Sequence, residues 1–131
     1  MNEHLGTYEI VADSKNRLKL PLKFREHLPS ELLVAGLPLG FLIVCDPDLR
    51  WEALREVPDQ EGELLRLDAF GRLPMSQNLL ALANLDDGQK GWAMWFSDRV
   101  EIWEKIRWEN YFEESVRPFR VGINPQFPIF I

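Results

Sequence analysis

The chain has 131 residues, a formal net charge of −6 and an apolar share of 46%, enough for one domain with a real hydrophobic core. A single cysteine, Cys45, excludes an internal disulfide and suits a reducing cytosol; the polar, acidic opening MNEHLGTYE does not read as a secretory signal, and no apolar run approaches the ~20 residues that span a bilayer. His4 and His27 stand without a cysteine or second histidine at ligand spacing, and no Gly-rich phosphate cradle or nucleophile motif occurs, so the expectation is a cytoplasmic protein, not membrane-bound, with no catalytic site, no metal and no cofactor.

Residues 6–12 (GTYEIVA) read as a strand, because tyrosine and β-branched residues favour extended backbone. Asp13-Ser14-Lys15-Asn16 is turn chemistry, and Asn16 tolerates a left-handed conformation. Leu18 and Leu20 alternate with Lys19, the pattern of a half-buried strand whose wet face carries Arg17 and Lys19. Pro21 sits where a helix can begin, and Phe24 and Leu28 mark a short helix ended near Pro29. ELLVAG (31–36) and FLIVCD (41–46) read as two strands joined by a turn over LPLG, with Cys45 as a core thiol. Asp46 and Asp48 supply acceptors for a helix start, ahead of a helical LRWEALREV (49–57). The polar PDQEG (58–62) is the candidate boundary between halves.

The second half follows the same order. GELLRLD (62–68) reads as a strand and Ala69–Gly71 as a turn; Ser76 caps a helix containing Leu79, Leu80 and Leu82. LDDG (85–88) is a loop, GWAMWF (91–96) and VEIW (100–103) form a hairpin, and a helix covers residues 104–114, where Trp108-Glu109 echoes Trp51-Glu52. Residues 1–58 and 59–116 thus read as two repeats folded together as one domain. The tail 117–131 holds three prolines and ends in FPIFI; it cannot be a regular helix, and its apolar end is expected to pack on the body or on a neighbouring subunit.

One repeat ties these elements together. Residues 13–21 read DSKNRLKLP and residues 68–76 read DAFGRLPMS, so Asp13 and Arg17 recur as Asp68 and Arg72. Such a repeat marks two copies of one supersecondary unit that cannot bury their apolar faces alone. An aspartate beside an arginine in a tight turn forms a charge-assisted pair that fixes the loop, and two such loops projecting together would present arginines to a polyanion. Lys15, Arg17, Lys19, Lys23 and Arg25 fall within residues 14–25 with no acid among them. A basic patch on an acidic body still attracts phosphate, because surface charges are screened over about 8–10 Å. The second copy has Phe70 in place of Lys15, and its nearest basic neighbour in sequence is Arg66, so the phosphate-binding face is read mainly on residues 13–25. Trp92, Trp95, Trp103, Trp108, Tyr111 and Phe112 lie among Glu101, Glu104, Glu109, Glu113 and Glu114, which favours packing in a core or between subunits over stacking on bases.

A strand, DSKNRLKLP, a helix with the phrase KFRE, a hairpin and a Trp-Glu helix resemble the first half of the MraZ family. A second D-x-x-x-R with GR, a hairpin reading EIW and another Trp-Glu helix resemble its second half; the similarity covers residues from about 5 to 115. The resemblance implies a β-rich α+β fold, two AbrB-like (SpoVT/AbrB) swapped-hairpin units whose interleaved strands form a double-split β-barrel with short flanking helices. It also implies a sequence-specific, nucleoid-associated transcriptional regulator that binds promoter DNA of the bacterial division and cell-wall genes and assembles into a homo-oligomeric ring. By position, the family's DNA-contacting residues fall on Asp13, Lys15 and Arg17 and on Asp68 and Arg72; Lys19 and Lys23 join them from the basic window. The chain departs from the family at Asn16, commonly Gly, and carries Pro74 two places early relative to Pro21. The alternative reading is an AbrB-like antitoxin, or a protein-interaction or structural assembly module whose tail binds a partner.

Overall fold

A computed structural model describes residues 5–49, 62–96 and 98–116. In chain order the elements are β1 (Thr7–Val11), β2 (Arg17–Lys19), α1 (Leu22–Arg25), β3 (Glu31–Gly36), β4 (Leu42–Cys45), a 3₁₀ turn (Pro47–Leu49), β5 (Gly62–Arg66), β6 (Arg72–Pro74), α2 (Gln77–Leu82), β7 (Lys90–Phe96), β8 (Arg99–Glu104), α3 (Lys105–Tyr111) and a π turn (Phe112–Val116). The expected helix beyond Leu49, the linker up to Gly62, the Trp51-Glu52 half of the Trp-Glu echo and the tail 117–131 lie outside the described residues.

Six strands form one antiparallel sheet in the order β1-β7-β8-β4-β3-β5, and β2 and β6 form a separate two-stranded ribbon. The halves exchange strands. β1 of the first half pairs with β7 of the second, and β5 of the second half pairs with β3 of the first. The sheet order is therefore symmetric about the β8–β4 junction, where the halves meet through Leu42–Ile102 and Val44–Val100. Neither sheet closes on itself. The architecture is a β-rich α+β fold.

The sheet buries apolar side chains on both faces, which is why β4 reads LIVC without alternation and is buried throughout. Leu32, Val34, Leu42, Val44, Val100 and Ile102 face the larger core, which also takes Leu18, Leu20, Phe24, Leu73, Leu79 and Leu80 from the ribbon and helices. Ala35, Ile43, Cys45, Met94 and Trp103 face a second cluster. There Phe41 stacks on Trp103 with centroids 4.2 Å apart, and Trp108 meets the same ring edge-on at 5.2 Å. Trp95 and Trp103 are buried, and Trp92, Trp108 and Tyr111 pack half-buried on the second cluster. Burial pushes the Cys45 thiol up to about 11, so it stays protonated and unreactive at neutral pH.

Local chemistry sets the helix starts. Ser76 accepts from the Leu79 N–H at 3.1 Å, and the Glu104 carboxylate accepts from Ile106 N at 2.8 Å and Arg107 N at 3.1 Å, satisfying donors that a first turn otherwise leaves orphaned. Pro21 caps α1 rather than opening it, and its carbonyl accepts from Phe24 N and Arg25 N. The helix expected over 104–114 is α-helical to Tyr111 and continues as the π turn.

Candidate nucleic-acid interface

The two Asp–Arg turns have the same construction. In the first, Asp13 Oδ1 accepts from Lys15 N and Arg17 N, both at 2.9 Å, and Oδ2 accepts from Arg17 Nε at 2.8 Å. In the second, Asp68 Oδ1 accepts from Phe70 N at 2.8 Å and Arg72 N at 2.9 Å, and Oδ2 from Arg72 Nε at 2.7 Å. Backbone bonds close each turn: Asp13 N donates to Arg17 O and Asn16 N to Asp13 O, as Asp68 N donates to Arg72 O and Gly71 N to Asp68 O. The residue before each arginine is left-handed, with φ 61° at Asn16 and 79° at Gly71, a conformation that Asn and Gly reach at least cost.

This network fixes the arginines without exhausting them. Each uses Nε on its aspartate, and among the described residues no terminal guanidinium nitrogen of Arg17 or Arg72 has a hydrogen-bond partner. Both arginine side chains are 27% exposed. The carboxylates are fixed too. The Arg72 backbone N–H, with help from the Arg72 side chain and Phe70 N–H, holds Asp68 down at about 2. The Arg17 backbone N–H and the Lys15 N–H and Arg17 side chain lower Asp13 in the same direction.

The ribbon relates the turns. Its register pairs Arg17 with Pro74, Leu18 with Leu73 and Lys19 with Arg72. Beyond its ends, Leu20 N donates to Gly71 O at 3.0 Å and Met75 N to Asn16 O at 2.9 Å, so each turn's left-handed residue accepts from the opposite strand. Hydrogen-bonded and non-hydrogen-bonded pairs alternate in an antiparallel ladder. Leu18–Leu73 is therefore a bonded pair, while Arg17–Pro74 and Lys19–Arg72 are not. Pro74, a departure from the repeat in sequence, falls where no ladder N–H is needed. Leu18 and Leu73 are fully buried, which leaves Arg17, Lys19, Arg72 and Pro74 on the opposite, outer face.

The second turn thus has basic neighbours that its own sequence lacks. Lys19 stands directly across from Arg72, at a pair type whose Cα atoms lie only about 4.5 Å apart. Like charges opposite one another weaken a ribbon, so the arrangement favours a bound anion over the empty face. Arg72 also lies over the Phe70 ring at 5.0 Å, and this cation–π contact helps hold it. Arg25, part of the basic window but not singled out in sequence, packs against Gly71. Nothing in the sequence ties those two positions together. Lys15 is exposed in the first turn, and Lys23 is exposed on α1 without a hydrogen bond or ion pair to either turn. Among the described residues, no group of three or more potential metal ligands occurs, and no helix is long and apolar enough to cross a membrane.

No protein-family model matches the chain. Individual relatives do. The chain is 31% identical to a protein of Clostridium acetobutylicum named transcriptional regulator MraZ, over 86% of this chain and 89% of that protein. The chain belongs to the MraZ family. A MraZ protein of Clostridium tetani is 29% identical over 86% of the chain, and one from a Nocardioides species is 32% identical over 82% of the chain and 84% of its own length. These MraZ proteins are all named as transcriptional regulators and none as an enzyme, which supports a non-enzymatic role here.

Proposed function

We propose that the chain is a transcriptional regulator that binds promoter DNA through its Asp13–Arg17 and Asp68–Arg72 turns. The observation that carries this reading is the pair of matched turns at opposite ends of one ribbon, with Arg17, Lys19 and Arg72 on a single face. Diagonal neighbours on such a ribbon lie about 7–8 Å apart, so Arg17 and Arg72 stand close enough to meet the same stretch of duplex. Terminal guanidinium nitrogens left open by the Nε–carboxylate bond match the O6 and N7 acceptors of guanine. Lys15, Lys19 and Lys23 supply phosphate contacts that position the protein without reading sequence.

The exchange of β1 and β5 between halves supports an assignment to two AbrB-like swapped-hairpin units, with the ribbon and sheet as parts of a double-split β-barrel. A single such face is small and sits on an acidic chain. Family membership supports a homo-oligomeric ring that repeats the face many times, each bound subunit raising the effective concentration of the next. On this reading the protein is nucleoid-associated and acts at the promoter of the division and cell-wall genes.

Arg17→Ala tests the assignment. Specific binding in a gel-shift assay is expected to be abolished, while oligomer size by light scattering stays that of the unaltered chain. Unchanged affinity would remove Arg17 from the interface.

A further inference from the structure

We infer that Arg25 is a phosphate contact of the second turn, supplied by the first half of the chain. The inference rests on the DNA-binding reading and adds a residue to it. The second turn has Phe70 at the place where the first has Lys15, so it lacks a cation of its own beyond Arg72. Arg25 fills that deficit from α1. A β-carbon at Gly71 would lie 2.1 Å from Arg25 Nη1, 2.3 Å from Cζ and 2.5 Å from Cδ. The guanidinium therefore occupies the space that any larger residue at 71 would claim, and it leaves Gly71 buried.

Two further observations separate this contact from ordinary packing. Arg25 Nε is buried without a hydrogen-bond partner, and no carboxylate pairs with Arg25 among the described residues. A half-buried guanidinium with no counter-ion is costly unless an anion arrives. It also packs on Gly71, the residue before Arg72 in the second turn. The turn itself holds one acid, Asp68, and Arg72 already engages it. A phosphate diester, the anion that duplex DNA presents at regular spacing, is the counter-ion this guanidinium lacks. The first turn shows the contrast. Its left-handed residue is Asn16, whose Nδ2 donates to Gln77 Oε1 at 3.2 Å, and the position repeating Arg25 is the buried Leu80. Each turn is therefore met by the other half, the first by a neutral amide and the second by a cation.

The test is fluorescence anisotropy with duplex DNA from upstream of the chain's own coding sequence, across a salt series, for the unaltered chain and for Arg25→Ala, Arg25→Lys and Gly71→Asn. Asn accepts the left-handed backbone, as Asn16 does, while its side chain displaces the guanidinium. Arg25→Ala and Gly71→Asn are each expected to lower the slope of log affinity against log salt by about 1, the share of one phosphate contact. Arg25→Lys, which keeps the charge, is expected to retain the slope. If the unaltered chain binds with salt-sensitive affinity and both Arg25→Ala and Gly71→Asn keep its slope, losing only melting temperature, Arg25 is packing alone and the inference fails. Should Arg25→Ala not fold, Gly71→Asn carries the same reading. No salt-sensitive binding by the unaltered chain would instead sink the DNA reading itself, and the inference with it.

Discussion

Asp68 takes three hydrogen bonds at once, from Phe70 N, Arg72 N and Arg72 Nε. All of them favour the charged carboxylate, which is why its pKa falls to about 2 although the group is exposed. A folded pKa below the unfolded one means that this contribution is fully present above the ordinary value near 3.8 and is lost as pH falls through about 2. The expected result of an NMR carboxyl titration is that Asp68 protonates well below the ordinary value, with Asp13 shifted in the same direction. A midpoint for Asp68 at 3.8 would contradict the turn geometry. This scale was largely legible in sequence. Asp and Arg four apart, with Asn16 or Gly71 just before the arginine, specify a local turn from residues that touch. Arg25 on Gly71 was not legible, because a glycine shows nothing of what lies against it and the two positions belong to different halves. Lys19 across from Arg72 was hidden for the same reason.

At the scale of elements, α1 shows how tertiary contact sustains a helix too short to stand alone. It has one turn, Leu22–Arg25, far below the length at which an isolated helix persists. Phe24 holds it in place, fully buried, with its ring 5.4 Å from Tyr8 of β1 and 5.5 Å from Trp95 of β7. Phe24→Ala is expected to cost about 3–5 kcal/mol in denaturant unfolding; a loss under 1 kcal/mol, within the range of ordinary surface substitutions, would mean that α1 is not anchored there. The same change should free Arg25 from Gly71, since both sit on this one turn. Hydrophobic patterning located β3 and β4, and Ser76 marked the start of α2. The short β6 was harder to read. Its three residues include Pro74, which argues against a strand until the register puts it at a position that makes no ladder bond.

At the scale of the molecule, strands from the two ends of the chain interleave in one sheet. β1 joins β7 and β5 joins β3, so each half completes the other's part of the sheet. The pairing of β1 with β7 and of β5 with β3 was not legible from the residues: alternating apolar positions say which face of a strand is buried, not which strand lies beside it. β2 and β6 pair as one ribbon, which places Lys19 of the basic window opposite Arg72 of the second turn. The acidic excess of the rest of the chain then matters less than the local charge of that face, since screening limits its reach to about 8–10 Å. The most direct measurement is the anisotropy of labelled duplex from upstream of the chain's own coding sequence, titrated with the unaltered protein from low to physiological salt. Tight binding is expected at low ionic strength, with log affinity falling linearly as log salt rises. Absence of salt-sensitive binding at low ionic strength would contradict it.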